Sequence, residues 1–110
     1  MNKQEQLDLF DKTIAQMRDI LFKKGNDYAN EDRLSNFKLA GSICGLKPEL
    51  NCLSMIATKV ARLGVLLQDQ AKEPNNESIL DSVLDLANYA ILLDMIISEK
   101  LNKDLLDYIK

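Results

Sequence analysis

The sequence predicts an all-α fold, a small bundle of three long helices with short helices beside them. Three stretches carry apolar residues at alternating spacings of three and four, which return to one face of an α-helix. Glycine and proline are scarce, with 4 and 2 copies in 110 residues, and this disfavours a turn-rich β architecture. Apolar residues make up 46% of the chain, enough for a folded protein. We expect one domain, residues 1–110.

The first long helix is predicted over residues 3–24. Its apolar positions follow the alternating spacing: Leu7, Phe10, Ile14, Met17 and Leu21. Gly25 comes directly after two lysines, which is typical of a helix end because cations interact favourably with the last carbonyls. Residues 25–38 mix polar and turn-forming residues, so we expect a structured loop leading into a short helix at about residues 34–40.

A second long helix is predicted over residues 49–69. Gly41 and Gly45 mark a break before it. Pro48 suits its first turn, because a helix leaves its first N–H groups without a partner. The apolar positions again alternate by three and four: Leu53, Ile56, Val60, Leu63 and Leu67.

The third long helix is predicted over residues 77–99, with Asn76 as its N-cap and a final short helix after Asn102. Its main core face should hold Ile79, Val83, Leu86, Ala90, Leu93 and Ile97. Other apolar side chains spread around the rest of it: Leu84, Leu92, Met95 and Ile96. A helix that is apolar on most sides must be covered on most sides. We therefore expect a homo-oligomer to complete the bundle; the alternative is that the short segments wrap over this helix.

Composition argues against several kinds of protein. The chain has no histidine, which disfavours a structural zinc site and removes any histidine relay for a nucleophile. A net charge of −3 gives no reason to expect duplex nucleic acid as a partner. The N-terminus lacks the apolar core of a signal peptide, and no apolar run reaches about 18 residues. We expect a cytoplasmic protein with no membrane partner, whose Cys44 and Cys52 are free thiols.

Three polar side chains on the third predicted helix are candidate functional residues. Asp81, Asp85 and Asn88 are spaced by four and three residues, which places them within about 60° of one another on one face. Carboxylates are costly to bury unless paired, hydrogen-bonded or metal-bound, and Mg²⁺ prefers such oxygen ligands. The two aspartates are therefore the candidate ligands of a Mg²⁺ cofactor and the candidate catalytic residues if the protein is an enzyme. The alternatives are a favourable charge near the helix start for Asp81 and a buried salt bridge for Asp85.

Two further groups of residues suit an anionic ligand. Lys59 and Arg62 lie beside the apolar stripe of the second helix, where they either pair with the aspartates, face a phosphate or are solvated. The stretch over residues 24–38 combines cations, amides and aromatics: Lys24, Arg33, Lys38, Asn26, Asn30, Asn36, Tyr28 and Phe37. Cations suit phosphate, amides suit base edges and an aromatic face suits a base. The two aromatic residues equally suit anchoring of the loop to the core.

The same segments resemble a phage family, the nucleotide-modification-associated domain. The resemblance rests on KGNDYA at residues 24–29, the Asn36–Phe37 pair, the helix with Lys59 and Arg62, and DxxxDLANYA at residues 81–90. It covers about residues 20 to 95, and DLANYA is its most specific element. It implies a role in phage nucleotide metabolism or DNA-base modification. The ligand-binding residues that we expect are Lys24, Asp27, Tyr28, Asn36, Phe37, Lys59, Arg62, Asn88 and Tyr89.

The acidic helix also resembles that of the MazG-like all-α nucleoside-triphosphate pyrophosphohydrolases. In those enzymes two acidic motifs, EExxE and ExxD, hold Mg²⁺ over the phosphates. Asp81 and Asp85 match the second motif with one extra residue between the acids, and Lys59 and Arg62 stand in place of the first motif. Fewer carboxylates lower the affinity for Mg²⁺, while added cations hold phosphate directly.

We therefore expect a protein that binds a linear or cyclic nucleotide, in phage nucleotide metabolism or the sequestration of a defence signal, with Lys59 and Arg62 on the phosphates. The alternative is a Mg²⁺-dependent nucleoside-triphosphate pyrophosphohydrolase with an activated water. Its metal site would be completed by a further acid, Asp27, Glu31 or Asp32. A third hypothesis is a purely structural module, with Asp85 and Asn88 locked to the two cations.

Overall fold

Four helices make up most of the described chain. The computed structural model describes residues 1–28, 32–68 and 76–109. The helices are α1 (Lys3–Tyr28), α2 (Ser35–Cys44), α3 (Pro48–Gln68) and α4 (Asn76–Ile109). No strand occurs in these ranges, so the predicted all-α bundle with three long helices is confirmed. The predicted bounds of α3 differ from the observed ones by one residue at each end.

Two helices are longer than predicted. α1 continues through Gly25 to Tyr28, and α4 continues through Asn102 to Ile109 without a second short helix. A single glycine inside a helix costs only about 1 kcal/mol relative to alanine. Residues 100–109 contain neither glycine nor proline, so nothing in their chemistry interrupts the hydrogen bonds of α4. The predicted helix ends at these two positions are wrong.

The two glycines near the end of α2 have different roles. Gly41 lies inside the helix, where a Cβ would stand 2.5 Å from the backbone oxygen of Leu46. Gly45 ends the helix in a left-handed conformation, with φ of 71°, which is unfavourable for other residues. The Leu46 N–H donates to the Gly41 carbonyl at 2.7 Å. The predicted break between the two glycines therefore lies at Gly45 alone.

α3 runs antiparallel to α4. The Cys52 thiol donates to the Tyr89 carbonyl at 3.4 Å, and Lys59 forms an ion pair with Asp85 at 3.2 Å. Higher numbers on α3 thus meet lower numbers on α4. The register of these contacts determines which side chains of the two helices lie side by side.

α1 packs against another side of α4 and runs in the same direction. The Asn88 side-chain amide donates to the Met17 carbonyl at 3.1 Å. Farther along α1, the centre of the Phe22 ring lies 6.0 Å from the guanidinium of Arg33. Arg33 in turn lines a groove together with Met95 of α4, so higher residue numbers on α1 lie near higher numbers on α4.

Of the apolar stripe on α1, Met17 is buried. The earlier positions Leu7, Phe10 and Ile14 are exposed.

The core lies where α2, α3 and the second half of α4 meet. Its buried members are Leu34, Phe37, Cys52 and Ile96, with Met55, Ile56, Tyr89, Leu92 and Leu93 packed around them. The core face predicted for α4 is wrong in part, because Val83, Ala90 and Ile97 are exposed. α3 packs instead against the side of α4 that carries Tyr89 and Ile96. This leaves an apolar face of α4 uncovered.

By length and composition, α3 is apolar enough to cross a membrane. Among the described residues it is the one helix that passes this test, with a mean hydropathy of 1.4 over its most apolar window. Only 17% of that window is buried. One such helix is a weak indication, since the core helices of water-soluble proteins pass the same test.

Candidate functional site

Lys59 and Asp85 form the ion pair at the centre of the candidate site. The Lys59 Nζ lies 3.2 Å from the Asp85 Oδ2. The two side chains are 24% and 27% exposed, so each retains some contact with water. Such a pair orders the lysine more than an exposed pair does, because both groups have lost hydration and hold each other in place. The sequence left open whether Lys59 pairs with an aspartate, and the structure shows that it pairs with Asp85.

Arg62 and Asp81 lie one helical turn farther along the same two helices. Because α3 and α4 are antiparallel, three residues up α3 correspond to three residues down α4, which puts Arg62 level with residue 82. Both side chains are exposed. Neither forms an ion pair with another residue in the described part of the chain. Arg62 therefore presents a guanidinium without a carboxylate partner among these residues.

Asn88 links α4 to α1 beside this pair. Its side chain is 5% exposed, and its Nδ2 donates to the Met17 carbonyl at 3.1 Å. Its Oδ1 is the one buried side-chain N or O atom in the described residues that has no hydrogen-bond partner. An unpartnered buried acceptor costs about 1–3 kcal/mol. The predicted locking of Asn88 to Lys59 or Arg62 is not seen.

These residues together mark one face of α4. Asp85 faces α3 through Lys59, and Asn88 faces α1 through Met17. Asp81 belongs to the same face of α4 by its helical spacing. The acidic face therefore runs between α1 and α3, with the two cations of α3 along one side.

Other predicted ligand residues lie elsewhere. Phe37 is buried in the core against Ile96, and Ile96 is about 16 Å along α4 from Asp85 at 1.5 Å per residue. Tyr89 packs against the same core, while Asn36 is exposed on the first turn of α2. Of the two roles predicted for Phe37, base stacking and anchoring to the core, the structure places its ring in the core.

Three predicted ligand residues are located by their backbone only. Lys24, Asp27 and Tyr28 belong to the last turns of α1. The structure does not describe their side chains, so their role as ligand-binding residues stays a prediction.

The described side chains do not by themselves fit a Mg²⁺ site. No group of three or more histidine, cysteine, aspartate or glutamate residues that could hold a metal occurs among them. Asp85 already has an ammonium partner at 3.2 Å, and a divalent cation at that carboxylate would have to displace it.

A second charged cluster was missed by sequence reasoning. The Lys38 ammonium lies 2.6 Å from both the Asp32 Oδ2 and the Glu99 Oε1. Hydrogen bonds from Lys38 and from the Leu34 N–H lower the pKa of Asp32. Hydrogen bonds to Asp32 and Glu99 raise the pKa of Lys38. Asp32 and Lys38 are close in the chain, but nothing in the sequence signalled that Glu99 joins them from α4.

This cluster borders an open groove of about 780 Å³ between residues 32–34 and residues 95–103. Its lining is mostly apolar, from side chains such as Leu34 and Met95. It lies at the other end of α4 from the Lys59 pair, so it does not extend the candidate site.

Comparisons of the chain with protein-family models, curated proteins and solved structures give no match. The fold and the described residues define a small all-α bundle whose candidate site has two cations of α3, one of them paired with Asp85, beside an acidic helix. The resemblances to the phage family and to the MazG-like enzymes stay predictions.

Proposed function

We propose that this chain is a phage-type nucleotide-binding protein of nucleotide metabolism or defence-signal sequestration, which holds ligand phosphates with Lys59 and Arg62. The observation that carries the proposal is the Lys59–Asp85 pair at 3.2 Å, with Arg62 unpaired among the described residues one turn away. The resemblance of the surrounding segments to the nucleotide-modification-associated domain supports the ligand class.

Lys59 is suited to phosphate because Asp85 holds it in one place. An ammonium has three donors, and the carboxylate at 3.2 Å accounts for one of them. The remaining donors are available to a ligand oxygen. Since the side chain is already ordered, binding loses less conformational entropy than it would with a fully solvated lysine.

Arg62 supplies the second contact. A guanidinium presents five donors in a planar fork that matches a phosphate in a bidentate way. Arg62 lies about 4.5 Å from Lys59 along the helix axis at 1.5 Å per residue, a separation that suits neighbouring phosphate groups. Asp81, at the same level of α4, is exposed and forms no ion pair with Arg62.

The alternative function is Mg²⁺-dependent hydrolysis of nucleoside triphosphates. The observation that favours it is Asp81, an exposed carboxylate with no ion pair in the described chain. In that case Asp81 and Asp85 would hold the metal together with a further acid.

A calorimetric titration with linear nucleotides and cyclic dinucleotides, each in Mg²⁺ and in EDTA, tests the proposal. We expect binding that persists in EDTA. We expect Arg62→Ala to weaken it at least tenfold while leaving Tm unchanged, because the side chain is exposed. Arg18→Ala, at an exposed arginine of α1, is the matched control and should bind like the wild type. Equal affinity of the Arg62 and Arg18 variants would refute the role of Arg62.

An assay for pyrophosphate release separates the two functions. Release from a triphosphate by the wild type in Mg²⁺, lost in the Asp81→Asn variant and lost when EDTA replaces Mg²⁺, would establish the enzyme instead. No binding of any nucleotide in either buffer would leave the structural module as the remaining hypothesis.

A further inference from the structure

One face of α4 is largely exposed over six helical turns and is apolar except for Asp94. Positions 80, 83, 87, 90, 94, 97 and 101 share this face at 100° per residue. Leu80 and Leu101 at its ends are 62% and 61% exposed, and Val83 and Ile97 are 44% and 42% exposed. Alanines occupy positions 87 and 90 in the middle. We infer that a second copy of this chain packs on this surface, here called the outer face of α4.

The surface area of the chain supports a second copy as the occupant. The chain exposes 8552 Å², whereas a compact monomer of 12.4 kDa exposes about 6,100 Å². The excess of about 2,400 Å² is roughly three times the 800 Å² that each partner of a standard interface buries. The radius of gyration, 16.9 Å, is likewise larger than the roughly 13 Å of a compact chain of this length.

The outer face of α4 is complementary to itself when reversed. In an antiparallel pair of α4 helices centred beside Ala90, Leu80 lies near Leu101 of the second copy, and Val83 lies near its Ile97. The small alanines at the centre allow the two backbones to approach closely. Asp94 then lies near the middle of the seam, beside the small Ala87 of the second copy. A single polar residue in an apolar seam fixes the register and direction of the pair at some cost in stability.

The candidate site lies on the opposite side of α4. At 100° per residue, Asp85 is roughly 170° and Asn88 roughly 130° from the centre of the outer face. A second copy on the outer face therefore leaves Lys59 and Arg62 accessible. The inference does not depend on the proposed function, and either can fail without the other.

Sedimentation velocity of the full chain tests this inference. We expect the wild type to have twice the mass of 12.4 kDa. Val83→Glu should sediment as a monomer with an unchanged helical circular dichroism spectrum, because Val83 contacts solvent within one chain. Leu53→Glu, at an exposed leucine of α3, is the matched control and should remain a dimer. A monomeric wild type, or a dimer broken by Leu53→Glu but not by Val83→Glu, would overturn the inference.

Cross-linking tests the position of the interface on α4 independently of folding effects. In a Cys44→Ser background, Ala90→Cys should form a disulfide between two copies when diamide oxidises the two thiols. Leu53→Cys in the same background should stay monomeric under denaturing electrophoresis. The reverse result would place the interface on α3.

Discussion

Lys59 and Asp85 join α3 to α4 through an ion pair of 3.2 Å in which about three-quarters of each side chain is withdrawn from water. A second ion pair, Lys23 with Asp19 at 3.7 Å, lies on the surface of α1 with both side chains more than two-thirds exposed. The chain thus contains one largely buried and one exposed lysine–aspartate pair. The difference in burial predicts a difference in their energies.

A double-mutant cycle on Lys59→Met and Asp85→Asn should give a coupling energy of about 1 kcal/mol in urea unfolding. Asp85 loses hydration on folding, so removal of Lys59 leaves it poorly compensated. The matched cycle on Lys23→Met and Asp19→Asn should give a coupling near zero, because solvent screens an exposed pair. Equal coupling energies would show that burial does not strengthen the central pair.

Gly41→Ala should lower the free energy of unfolding by about 1–3 kcal/mol. The new Cβ would stand 2.5 Å from the Leu46 backbone oxygen, and overpacking against backbone costs that much. Gly64→Ala is the control within α3, where a Cβ meets nothing within 4 Å. It should stabilise the protein by about 0.5–1 kcal/mol, since alanine favours the helix. A neutral Gly41→Ala would mean that the turn after α2 adjusts freely.

Asn88→Leu should destabilise the chain by about 0.5–1.5 kcal/mol, the net contribution of a typical hydrogen bond. It removes the hydrogen bond from the Asn88 amide to the Met17 carbonyl, which keeps its backbone donor within α1. The concurrent loss of the unpartnered Oδ1 offsets part of this cost. Asn102→Leu, at an exposed position of α4, should change stability by less than about 0.5 kcal/mol. If the two variants unfold at the same urea concentration, Asn88 does not anchor α1.

The Lys38 cluster predicts a dependence of stability on pH at both extremes. The lowered pKa of Asp32 contributes stability above its unfolded pKa, which is lost as the pH falls through the folded pKa. The raised pKa of Lys38 contributes stability below its unfolded pKa, which is lost as the pH rises through the folded value. Both contributions should be small because these side chains are partly exposed.

Lys38→Met separates the two ends of this cluster. An NMR titration of the side-chain carboxyl carbons should show the pKa of Asp32 rising toward its ordinary value in the variant. The hydrogen bond from the Leu34 N–H should keep it from rising completely. An unchanged pKa would show that Lys38 does not hold Asp32 in solution.

The two thiols should react at different rates. Cys44 is exposed and Cys52 is buried, and burial raises the pKa of the Cys52 thiol, so less of the reactive thiolate forms. A disulfide reagent added to the native chain should label Cys44 within the fast phase, and Cys52 only at the rate of opening or unfolding. Cys44→Ser should abolish the fast phase. Rapid labelling of that variant would contradict the buried position of Cys52.

The spacing of apolar residues predicted a helix well where that spacing alone determines it. The spacing of apolar residues identified α3 to within one residue at each end, because a period of 3.6 is a property of the chain itself. Helix ends were less predictable, since Gly25 and Asn102 are compatible with either a stop or a continuation. The sequence singled out Asp85 and Asn88 as polar residues on an otherwise apolar helix. The pairing of Asp85 with Lys59 was one of the alternatives that their charges allowed.

The sequence by itself determined the all-α class, the long helices and the set of polar residues that need partners, because these follow from spacing and from the cost of burying charge. Only the tertiary structure decided which side of α4 faces the core, that Lys59 meets Asp85, and that Asn88 meets Met17. The physical reason is that α4 is apolar on several sides. Its own pattern therefore accepts several neighbours, and the packing of α1, α2 and α3 selects among them.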